Sequence, residues 1–276
     1  MPQTGILYHP MVDATLAKAQ EVQKFLSARG VATWRCSAWD TAEIRKHLED
    51  TALVLTVGGD GTLLRAAQAV YPSRVPITGI NMGRLGFMTE LSAAEAAEKL
   101  PDLLAGKGWV DARTMLSVTL AAPPAKRQTF TALNDVVMAR GAIARMVRIT
   151  ASMADQRFAT YRADGVVVAT ATGSTGYALA AGGAILYPRS PDFILVPVAA
   201  HTSAAYALVL PAETVLKLRI DTVHEATLSV DGHINRPLPD GAEITVRRSR
   251  HQTRFLRIHP EDRFYRSLEE KLRGKE

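Results

Sequence analysis

The fold can be read outward from residues 53–64, Leu53-Val54-Leu55-Thr56-Val57-Gly58-Gly59-Asp60-Gly61-Thr62-Leu63-Leu64. The apolar run Leu53 to Val57 predicts a fully buried strand, the glycines predict a loop, and Thr62 to Val70 has helical spacing. The preceding sequence has the same rhythm of strand and helix. It predicts strands at Ile6–Tyr8 and Val31–Cys36, and helices at Asp13–Arg29, ended by Gly30, and at Thr41–Glu49. Strands that alternate with helices predict a parallel sheet with helices on its faces.

The same rhythm continues to about residue 110. Val75 to Ile80 is a further candidate strand, and Ser92-Ala93-Ala94-Glu95 is a capping-box pattern that should open a helix ending near Gly106. We therefore expect residues 1–110 to form an α/β domain with a parallel, doubly wound type of sheet.

The pattern changes near residue 111, where helical periodicity gives way to alternation. The segments Met115–Leu120, Val136–Ala139 and Val147–Met153 alternate, and Asp231-Gly232 and Asp240-Gly241 are typical hairpin-turn dipeptides. Residues 111–258 should thus form a β-rich domain. In the remaining segment, 259–276, the amphipathic stretch Phe264–Leu272 predicts a helix that packs back on the body of the protein.

Composition narrows the class of protein. The 276 residues are 47% hydrophobic and 22% charged, which is typical of a globular chain, and the net charge of +6 suits anionic ligands but is too small to indicate a nucleic-acid-binding protein. Cys36 is the only cysteine, so an internal disulfide or a cysteine-rich metal site is excluded. Because Met1 to Pro10 has no secretory pattern and no apolar run could span a membrane, we expect a cytoplasmic protein.

The loop Gly58-Gly59-Asp60-Gly61-Thr62 has the features of a phosphate-binding turn. Glycines let the backbone approach an anion closely, and the following helix contributes unpaired N–H groups. The loop is not a Walker A motif, since it lacks the Gly-Lys-Ser/Thr ending. It is not a dinucleotide fingerprint either, since Gly59-Asp60-Gly61 has no glycine three residues further on. A carboxylate beside phosphates suggests that Asp60 holds a metal ion or accepts a proton from an attacking hydroxyl. The alternative is a tight turn in which Asp60 caps the helix.

A second strand-loop-helix occurs at residues 164–183, Asp164-Gly165-Val166-Val167-Val168-Ala169-Thr170-Ala171-Thr172-Gly173-Ser174-Thr175-Gly176-Tyr177 followed by Ala178 to Gly183. Two such loops suggest that two anionic or polyhydroxylated groups bind face to face, as donor and acceptor must for in-line transfer. The alternative here is an ordinary turn rich in serine and threonine.

Taken together, these segments resemble the NAD kinase family. The resemblance rests on Gly58–Leu64, on Gly79-Ile80-Asn81-Met82-Gly83-Arg84-Leu85-Gly86-Phe87-Met88, on Leu133-Asn134-Asp135, on Asp164–Ala184 and on Leu228-Ser229-Val230-Asp231-Gly232. They occur in the family's order and span most of the chain. The fold that the resemblance implies, an α/β lobe joined to a β-rich lobe, agrees with the periodicity.

The resemblance implies an activity and a set of site residues. The activity is phosphorylation of the 2′-hydroxyl of the adenosine ribose of NAD, with Asp60 as the proton acceptor and Gly61 beside it at the nucleotide. Arg65 would meet phosphate. The remaining nucleotide-binding residues would be Asn134, Asp135, Arg145, Arg162, Asp164, the stretch Thr175, Gly176, Tyr177, Ala178, Leu179 and Ala180, and His233.

Four positions depart from the family's usual pattern. Asp135 stands where glutamate is usual, which shortens the carboxylate by one methylene. Ala171 replaces a proline and Gly176 an alanine, so we expect a more flexible loop. His233 replaces a glutamine, so its contact could depend on pH.

For substrates and partners, the resemblance implies NAD with ATP or polyphosphate, a divalent cation, expected to be Mg²⁺ bound mainly with ATP, and a homodimer or homotetramer. We expect no protein-bound metal site, no nucleic acid and no membrane partner. Two alternatives stay open: a lipid kinase, which also uses a Gly-Gly-Asp-Gly loop, and a nucleotide sensor without catalytic activity.

Overall fold

The structure is a computed structural model that describes residues 3–83, 86–141, 145–200, 206–265 and 268. It divides into two compact units. Unit 1 comprises Met1–Ala112 and Thr253–Glu276, and unit 2 comprises Arg113–Gln252. The expected β-rich range of 111–258 therefore extends at its carboxyl end into residues that unit 1 contains.

Unit 1 alternates strands and helices as expected from the sequence. Its elements are β1 (Gln3–Tyr8), α1 (Asp13–Ser27), β2 (Thr33–Ser37), α2 (Thr41–His47) followed by a short 3₁₀ turn (Leu48–Asp50), β3 (Thr51–Gly58), α3 (Asp60–Val70), β4 (Ile77–Asn81), β5 (Leu91–Ser92) and α4 (Ala96–Leu104).

The strands of unit 1 form a parallel sheet in the order β4, β3, β1, β2, which is the order of a doubly wound fold. Alternate residues of β3 point to opposite faces of the sheet. Leu53, Leu55 and Val57 pack with apolar residues of α1 and α4. The α/β fold expected for the first lobe is confirmed, and β3 leads directly to the carboxyl edge of the sheet, where ligands bind in such folds.

The capping-box prediction is also confirmed. The Ser92 hydroxyl accepts the Glu95 N–H, and the Glu95 carboxylate accepts the Ser92 N–H. Gly106, just past the end of α4, has a φ of 76° and so ends the helix in a conformation that glycine favours.

Unit 2 is built mainly of strands. The first strand, β6 (Trp109–Ala121), begins in unit 1 and continues into unit 2, and the last strand, β17 (Glu243–Arg257), ends in unit 1. Between them lie β7 (Gln128–Ala132), β8 (Asp135–Arg140), β9 (Val147–Met153), β10 (Gln156–Ala163), β11 (Gly165–Thr170), a 3₁₀ turn (Gly173–Thr175), α5 (Tyr177–Ala180), β12 (Phe193–Val198), β13 (Leu208–Leu210), β14 (Leu216–Asp221), β15 (Ala226–Val230) and β16 (Ile234–Leu238).

Two antiparallel layers enclose the core of unit 2. One runs β13, β12, β11, β8, β15, β16, and the other contains β10, β9, β14 and the first part of β17. Val166 and Val168 of β11 join the core shared by both layers, whereas Val167 and Ala169 face a smaller cluster that includes Ala178 of α5. The β-rich character expected of the second lobe is confirmed.

Of the two hairpin-turn predictions, one is confirmed and one is wrong. Asp231-Gly232 joins β15 and β16, which pair as a hairpin. The Asp240-Gly241 hairpin prediction is wrong, because β16 pairs with β15 while β17 pairs with β14, so this turn connects two different layers. The dipeptide reflects a local need for positive φ, 74° at Gly241, and that need arises in several turn types besides those of hairpins. The helix expected at Phe264–Leu272 lies largely outside the described residues.

Candidate active site

The loop between β3 and α3 brings the backbone into unusually close contact. A Cβ atom on Gly58 would lie 2.3 Å from the Oγ1 atom of Thr62, so glycine is required there by space. A Cβ atom on Gly59 or Gly61 would meet nothing within 4 Å. The first turn of α3 therefore has open space beside it, at the end of the helix where unpaired N–H groups and the positive end of the dipole favour an anion.

The Asp60 carboxylate is held by three consecutive backbone amides. The N–H of Phe87 donates to Oδ2 at 2.7 Å, and the N–H groups of Met88 and Thr89 donate to Oδ1 at 3.1 Å each. The helix-cap alternative for Asp60 is wrong, because Gly59 is the N-cap residue and no side chain caps α3. Instead, Asp60 joins the start of α3 to the segment that follows β4.

Gly86 makes this arrangement possible. A Cβ atom at position 86 would lie 2.1–2.4 Å from the carboxyl atoms of Asp60, far inside van der Waals contact. The preceding residues of that motif, Arg84 and Leu85, lie outside the described residues. Arg65, one turn after Asp60, stacks its guanidinium 4.3 Å from the centre of the Trp39 ring.

In unit 2, the start of β8 is fixed by a carboxylate from another strand pair. Asp231, in the β15–β16 turn, accepts the N–H groups of Leu133, Asn134 and Asp135 at 2.7–3.2 Å. Asp231 itself has a φ of 49° and donates its N–H to the Asp135 carbonyl. Asn134 and Asp135 are thereby held in one conformation by the hairpin turn.

The side chains of Asn134 and Asp135 place polar atoms in a buried position at the start of β8. The Oδ1 atom of Asn134 is buried without a hydrogen-bond partner among the described residues. Asp135 is only 8% exposed, and its burial, together with the neighbouring Asp231 charge, raises the pKa of Asp135 to about 7. A buried, unpaired amide oxygen is unfavourable unless a ligand completes it, which makes this a candidate binding position.

The hydroxyl-rich loop packs against the same segment. Thr170 donates its hydroxyl to the Leu133 carbonyl, and a Cβ atom on Gly173 would lie 2.2 Å from the Asn134 carbonyl oxygen. The Ser174 and Thr175 hydroxyls bond to carbonyls of their own loop. These hydroxyls therefore shape the loop, as the ordinary-turn alternative expected, while the loop also lies against Asn134.

The rest of the predicted stretch differs in exposure. Thr175 and Leu179 are half-buried, Gly176, Tyr177 and Ala180 are exposed, and Ala178 is buried in the small core beneath the loop. A Cβ atom on Gly176 would lie 3.3 Å from the Gly173 carbonyl, so the alanine usual in the family would be tightly placed in this conformation.

A cavity of about 910 Å³ in unit 2 brings together Arg145, Arg162 and Asp164. Asp164 forms an ion pair with Arg140 at 2.7 Å. The cavity is also lined by Arg140, Met146, Val147, Arg148, Asp221, Thr222, Val223, His224 and Asp240. Four arginines against three aspartates give the cavity a slightly positive lining, suitable for an anionic ligand.

Other predicted residues lie away from that cavity. Asn134, Asp135, the 175–180 stretch and His233 are not part of its lining. His233 turns back on its own hairpin, with Nδ1 2.9 Å from the Asp231 carbonyl oxygen. Asp60, Gly61 and Arg65 belong to unit 1 and the other predicted site residues to unit 2.

Sequence reasoning missed several groups. It did not identify the amides of residues 87–89 or the pairing of Arg140 with Asp164, and it used Asp231 as a turn residue and as part of the family's motif without assigning it a bonding partner. The Gly83–Met88 motif and the Asp231-Gly232 dipeptide were the available signals. Arg140 carries none, because its role depends on pairing between β8 and β11.

Within the described part of the chain, no group of three or more histidine, cysteine, aspartate or glutamate side chains is arranged to hold a metal ion. No helix in that part of the chain is both long and apolar enough to cross a membrane.

Comparison with known proteins identifies relatives over nearly the whole chain. Residues 7–108 match the family model of the ATP-NAD kinase N-terminal domain, and residues 133–258 match that of the ATP-NAD kinase C-terminal domain. An NAD kinase from Dehalococcoides mccartyi is 43% identical over 271 residues, which cover 98% of this chain and 95% of the relative.

Solved structures agree on the fold. A crystal structure of an NAD kinase from Archaeoglobus fulgidus in complex with ATP has a TM-score of 0.81 and 26% identity, and the match covers 99% of this chain and 100% of that one. Yeast NADH kinase complexed with NADH has a TM-score of 0.90 at 24% identity, covering 99% of this chain and 88% of that one, and is similar in fold.

Proposed function

The chain belongs to the NAD kinase family, a family of phosphotransferases, and from that membership we propose that it phosphorylates the 2′-hydroxyl of the adenosine ribose of NAD, with ATP as the donor and Asp60 as the general base. The observation that carries this proposal is the Asp60 carboxylate, fixed on three amides at the start of α3 beside an open glycine loop. The lipid-kinase alternative lacks support, since both family models that match are those of NAD kinases.

The hydrogen bonds to Asp60 favour one of its two oxygens as the proton acceptor that we propose. A carboxylate offers about four lone-pair positions, two on each oxygen. Among the described residues, Oδ1 accepts the N–H groups of Met88 and Thr89, whereas Oδ2 accepts that of Phe87 alone. Oδ2 thus keeps one free position, and we assign to it the proton of the ribose 2′-hydroxyl. The amides hold the carboxylate in place so that no side-chain reorientation is needed at the moment of transfer.

The phosphates of the donor would lie at the start of α3. Gly59 and Gly61 leave open space there, and the first N–H groups of the helix can donate to phosphate oxygens. A magnesium ion would supply charge neutralisation of the transferred phosphoryl group. Because Asp60 uses three of its lone-pair positions on amides, and because the described residues contain no cluster of metal ligands, we propose that the ion arrives with ATP rather than at a protein-built site.

Unit 2 would bind the acceptor. The arginines of its cavity, Arg145 and Arg162, suit the pyrophosphate of a dinucleotide, and Asp164 suits a hydroxyl or amide donor. Asn134 offers an amide oxygen that has no hydrogen-bond partner among the described residues, which an adenosine ribose or base can complete. Thr175 to Ala180 would wrap the adenosine and nicotinamide portions, Arg65 would meet phosphate, and His233 would contribute only a peripheral contact.

The activity is tested by incubating the purified protein with NAD and magnesium–ATP and measuring NADP with a coupled dehydrogenase. We expect turnover by the unmodified chain and a loss of at least 10³-fold in kcat for Asp60→Asn, with little change in NAD affinity. Parallel reactions with polyphosphate in place of ATP, and with NADH in place of NAD, identify the donor and the acceptor.

The controls separate a base from a binding role. Thermal unfolding and NADP binding of Asp60→Asn show whether the variant is folded and still binds nucleotide. Tight NAD binding without turnover by the unmodified chain would favour the sensor alternative and contradict the proposal. Equal kcat values for the two proteins would remove Asp60 from the chemistry.

We also propose that the enzyme acts in the cytoplasm as a homodimer or homotetramer, as expected from the family. Light scattering coupled to size-exclusion chromatography distinguishes these assemblies from a monomer of 29.9 kDa.

A further inference from the structure

A group of buried charges lies behind the segment that holds Asp60. Arg257, Glu90 and Asp111 are 6%, 4% and 3% exposed, and all three belong to unit 1. The Nε atom of Arg257 donates to Asp111 at 3.2 Å, and its Nη1 atom lies 3.2 Å from the Glu90 carboxylate. Such a group is costly to bury and stays in place only when each charge is paired.

Glu90 is bonded on several sides. Its carboxylate accepts the backbone N–H groups of Ile258 and His259 at 2.9 and 2.8 Å, and the His259 ring lies 2.9 Å from it. Burial by itself would raise the pKa of Glu90, but the Arg257 charge and these hydrogen bonds outweigh it and hold the pKa below its usual value. Glu90 is therefore ionised and fixes the chain next to Thr89.

The decisive contact is the shortest one in the group. Nη1 of Arg257 donates to the carbonyl oxygen of Met88 at 2.6 Å. That carbonyl belongs to the same peptide unit as the N–H of Thr89, which donates to Asp60 Oδ1 at 3.1 Å. One planar peptide thus connects the guanidinium to the Asp60 carboxylate, and a carbonyl that accepts a charged hydrogen bond makes its N–H a stronger donor.

From this geometry we propose that Arg257 is a positioning residue for the phosphoryl-transfer reaction, acting through the Met88–Thr89 peptide to hold the Asp60 carboxylate in place. The inference rests on the proposed role of Asp60. The hydrogen bonds of Arg257 go to the Met88 carbonyl, Glu90 and Asp111 rather than to Asp60 itself, so its contribution lies in orientation. Its fork of donors is what allows one side chain to bond Met88, Glu90 and Asp111 together, which the single ammonium of a lysine cannot do in the same geometry.

The test compares Arg257→Lys with the matched variant Asp111→Asn. Both weaken the same buried ion pair, but only the first removes the fork that reaches the Met88 carbonyl. We expect Arg257→Lys to lower kcat at least 10-fold with KM for NAD and ATP within about threefold. We expect Asp111→Asn to lose stability while keeping kcat within about threefold of the unmodified chain.

Hydrogen exchange supplies a readout that does not depend on turnover. Measured at residue level, the amides of Phe87, Met88 and Thr89 should lose protection in Arg257→Lys, relative to the amides of β3, and should keep it in Asp111→Asn. Equal effects of the two variants on kcat, or unchanged protection of those amides in Arg257→Lys, would overturn the proposal. If Arg257→Lys does not fold, the double variant Arg257→Gln/Asp111→Asn takes its place, because it removes the guanidinium without leaving Asp111 charged. It is compared with Asp111→Asn alone, and the same criteria apply.

The two proposals fail differently. If the unmodified chain makes no NADP, the proposed function is wrong, and the exchange measurement still decides whether Arg257 holds the Asp60 segment. If the chain makes NADP but the two variants behave alike, only the positioning role is lost.

Discussion

At the scale of single residues, the candidate site requires glycine at two positions, because a side chain there would overlap a neighbouring one. Gly58 and Gly86 each stand where a Cβ atom would overlap a side chain, that of Thr62 or of Asp60. The Asp60 carboxylate can reach three consecutive amides because Gly86 leaves the space for it.

A methyl group at Gly86 should therefore displace the Asp60 carboxylate. We expect Gly86→Ala to lower kcat by about 100-fold, since a shift of about 1 Å in a reacting group has an effect of that order. The measurement is the steady-state rate of NADP formation. Gly83→Ala, where an added Cβ would meet nothing within 4 Å, is the matched control, and an equal loss in both variants would contradict the steric explanation.

The buried Asp135 carboxyl should make stability depend on pH. Its pKa is raised from 3.8 to about 7, so between these values the unfolded chain is ionised while the folded chain keeps its proton. The contribution of this group to the free energy of unfolding is therefore greatest below pH 3.8. It falls as the pH rises and is lost at about pH 7.

Asp135→Asn should remove that dependence. Between pH 4 and pH 8, the free energy of unfolding of the variant should rise by roughly 2–4 kcal/mol relative to that of the unmodified chain. The other titrating groups are common to both proteins and cancel in this comparison. Urea unfolding at several pH values measures the difference. A constant difference across the range would mean that Asp135 titrates normally.

At the scale of elements, the β15–β16 hairpin shapes the site by clamping the start of β8. Asp231 supplies the acceptor for three successive N–H groups, those of Leu133, Asn134 and Asp135. The hairpin thus sets the conformation in which Asn134 and Asp135 are presented, and the Thr170–Gly173 loop packs on the other side.

Removing this clamp should destabilise unit 2. We expect Asp231→Ala to lower the free energy of unfolding by roughly 2–5 kcal/mol, because three amides lose their acceptor and alanine tolerates the positive φ poorly. Asp231→Asn keeps one oxygen acceptor and the tolerance for this backbone conformation, so it should lose less. Urea midpoints at fixed pH compare the two, and equal losses would show that the carboxylate does not act as the clamp.

At the scale of the whole molecule, the chain combines a parallel α/β unit and an antiparallel β unit. Asp60 belongs to the first, and the arginine-lined cavity belongs to the second. A nucleotide that binds the folded protein stabilises it by mass action, regardless of how its contacts are divided.

Nucleotide binding should accordingly raise the thermal midpoint. With NADP at 100 times its Kd, the stabilisation is about 2.7 kcal/mol, which for a chain of this size corresponds to a rise in Tm of roughly 4–6 °C. Differential scanning fluorimetry measures it, and Arg162→Ala, which removes a cavity arginine, should show a smaller rise at the same NADP concentration. An unchanged Tm at millimolar NADP would contradict the proposed acceptor site.

The amino-acid sequence determined by itself the features that depend on neighbours along the chain. The alternation of apolar runs and helical patterns located the α/β lobe, the change of period near residue 111 located the β-rich lobe, and the Ser92–Glu95 box located the start of α4. The family was recognisable because its motifs are short, ordered and rich in glycine. These signals are local, since periodicity and capping involve residues a few positions apart.

Only the tertiary structure decided what each motif bonds to. Asp60 finds its partners 27 to 29 residues away, Asp231 reaches amides nearly 100 residues earlier, and Arg257 reaches Met88 across 169 positions. The same limit explains the wrong hairpin at Asp240-Gly241, where the turn residues were recognised but the pairing of the following strand was not. Hydrogen bonds and ion pairs between distant segments depend on how strands and loops pack, and no local pattern along the chain encodes that packing.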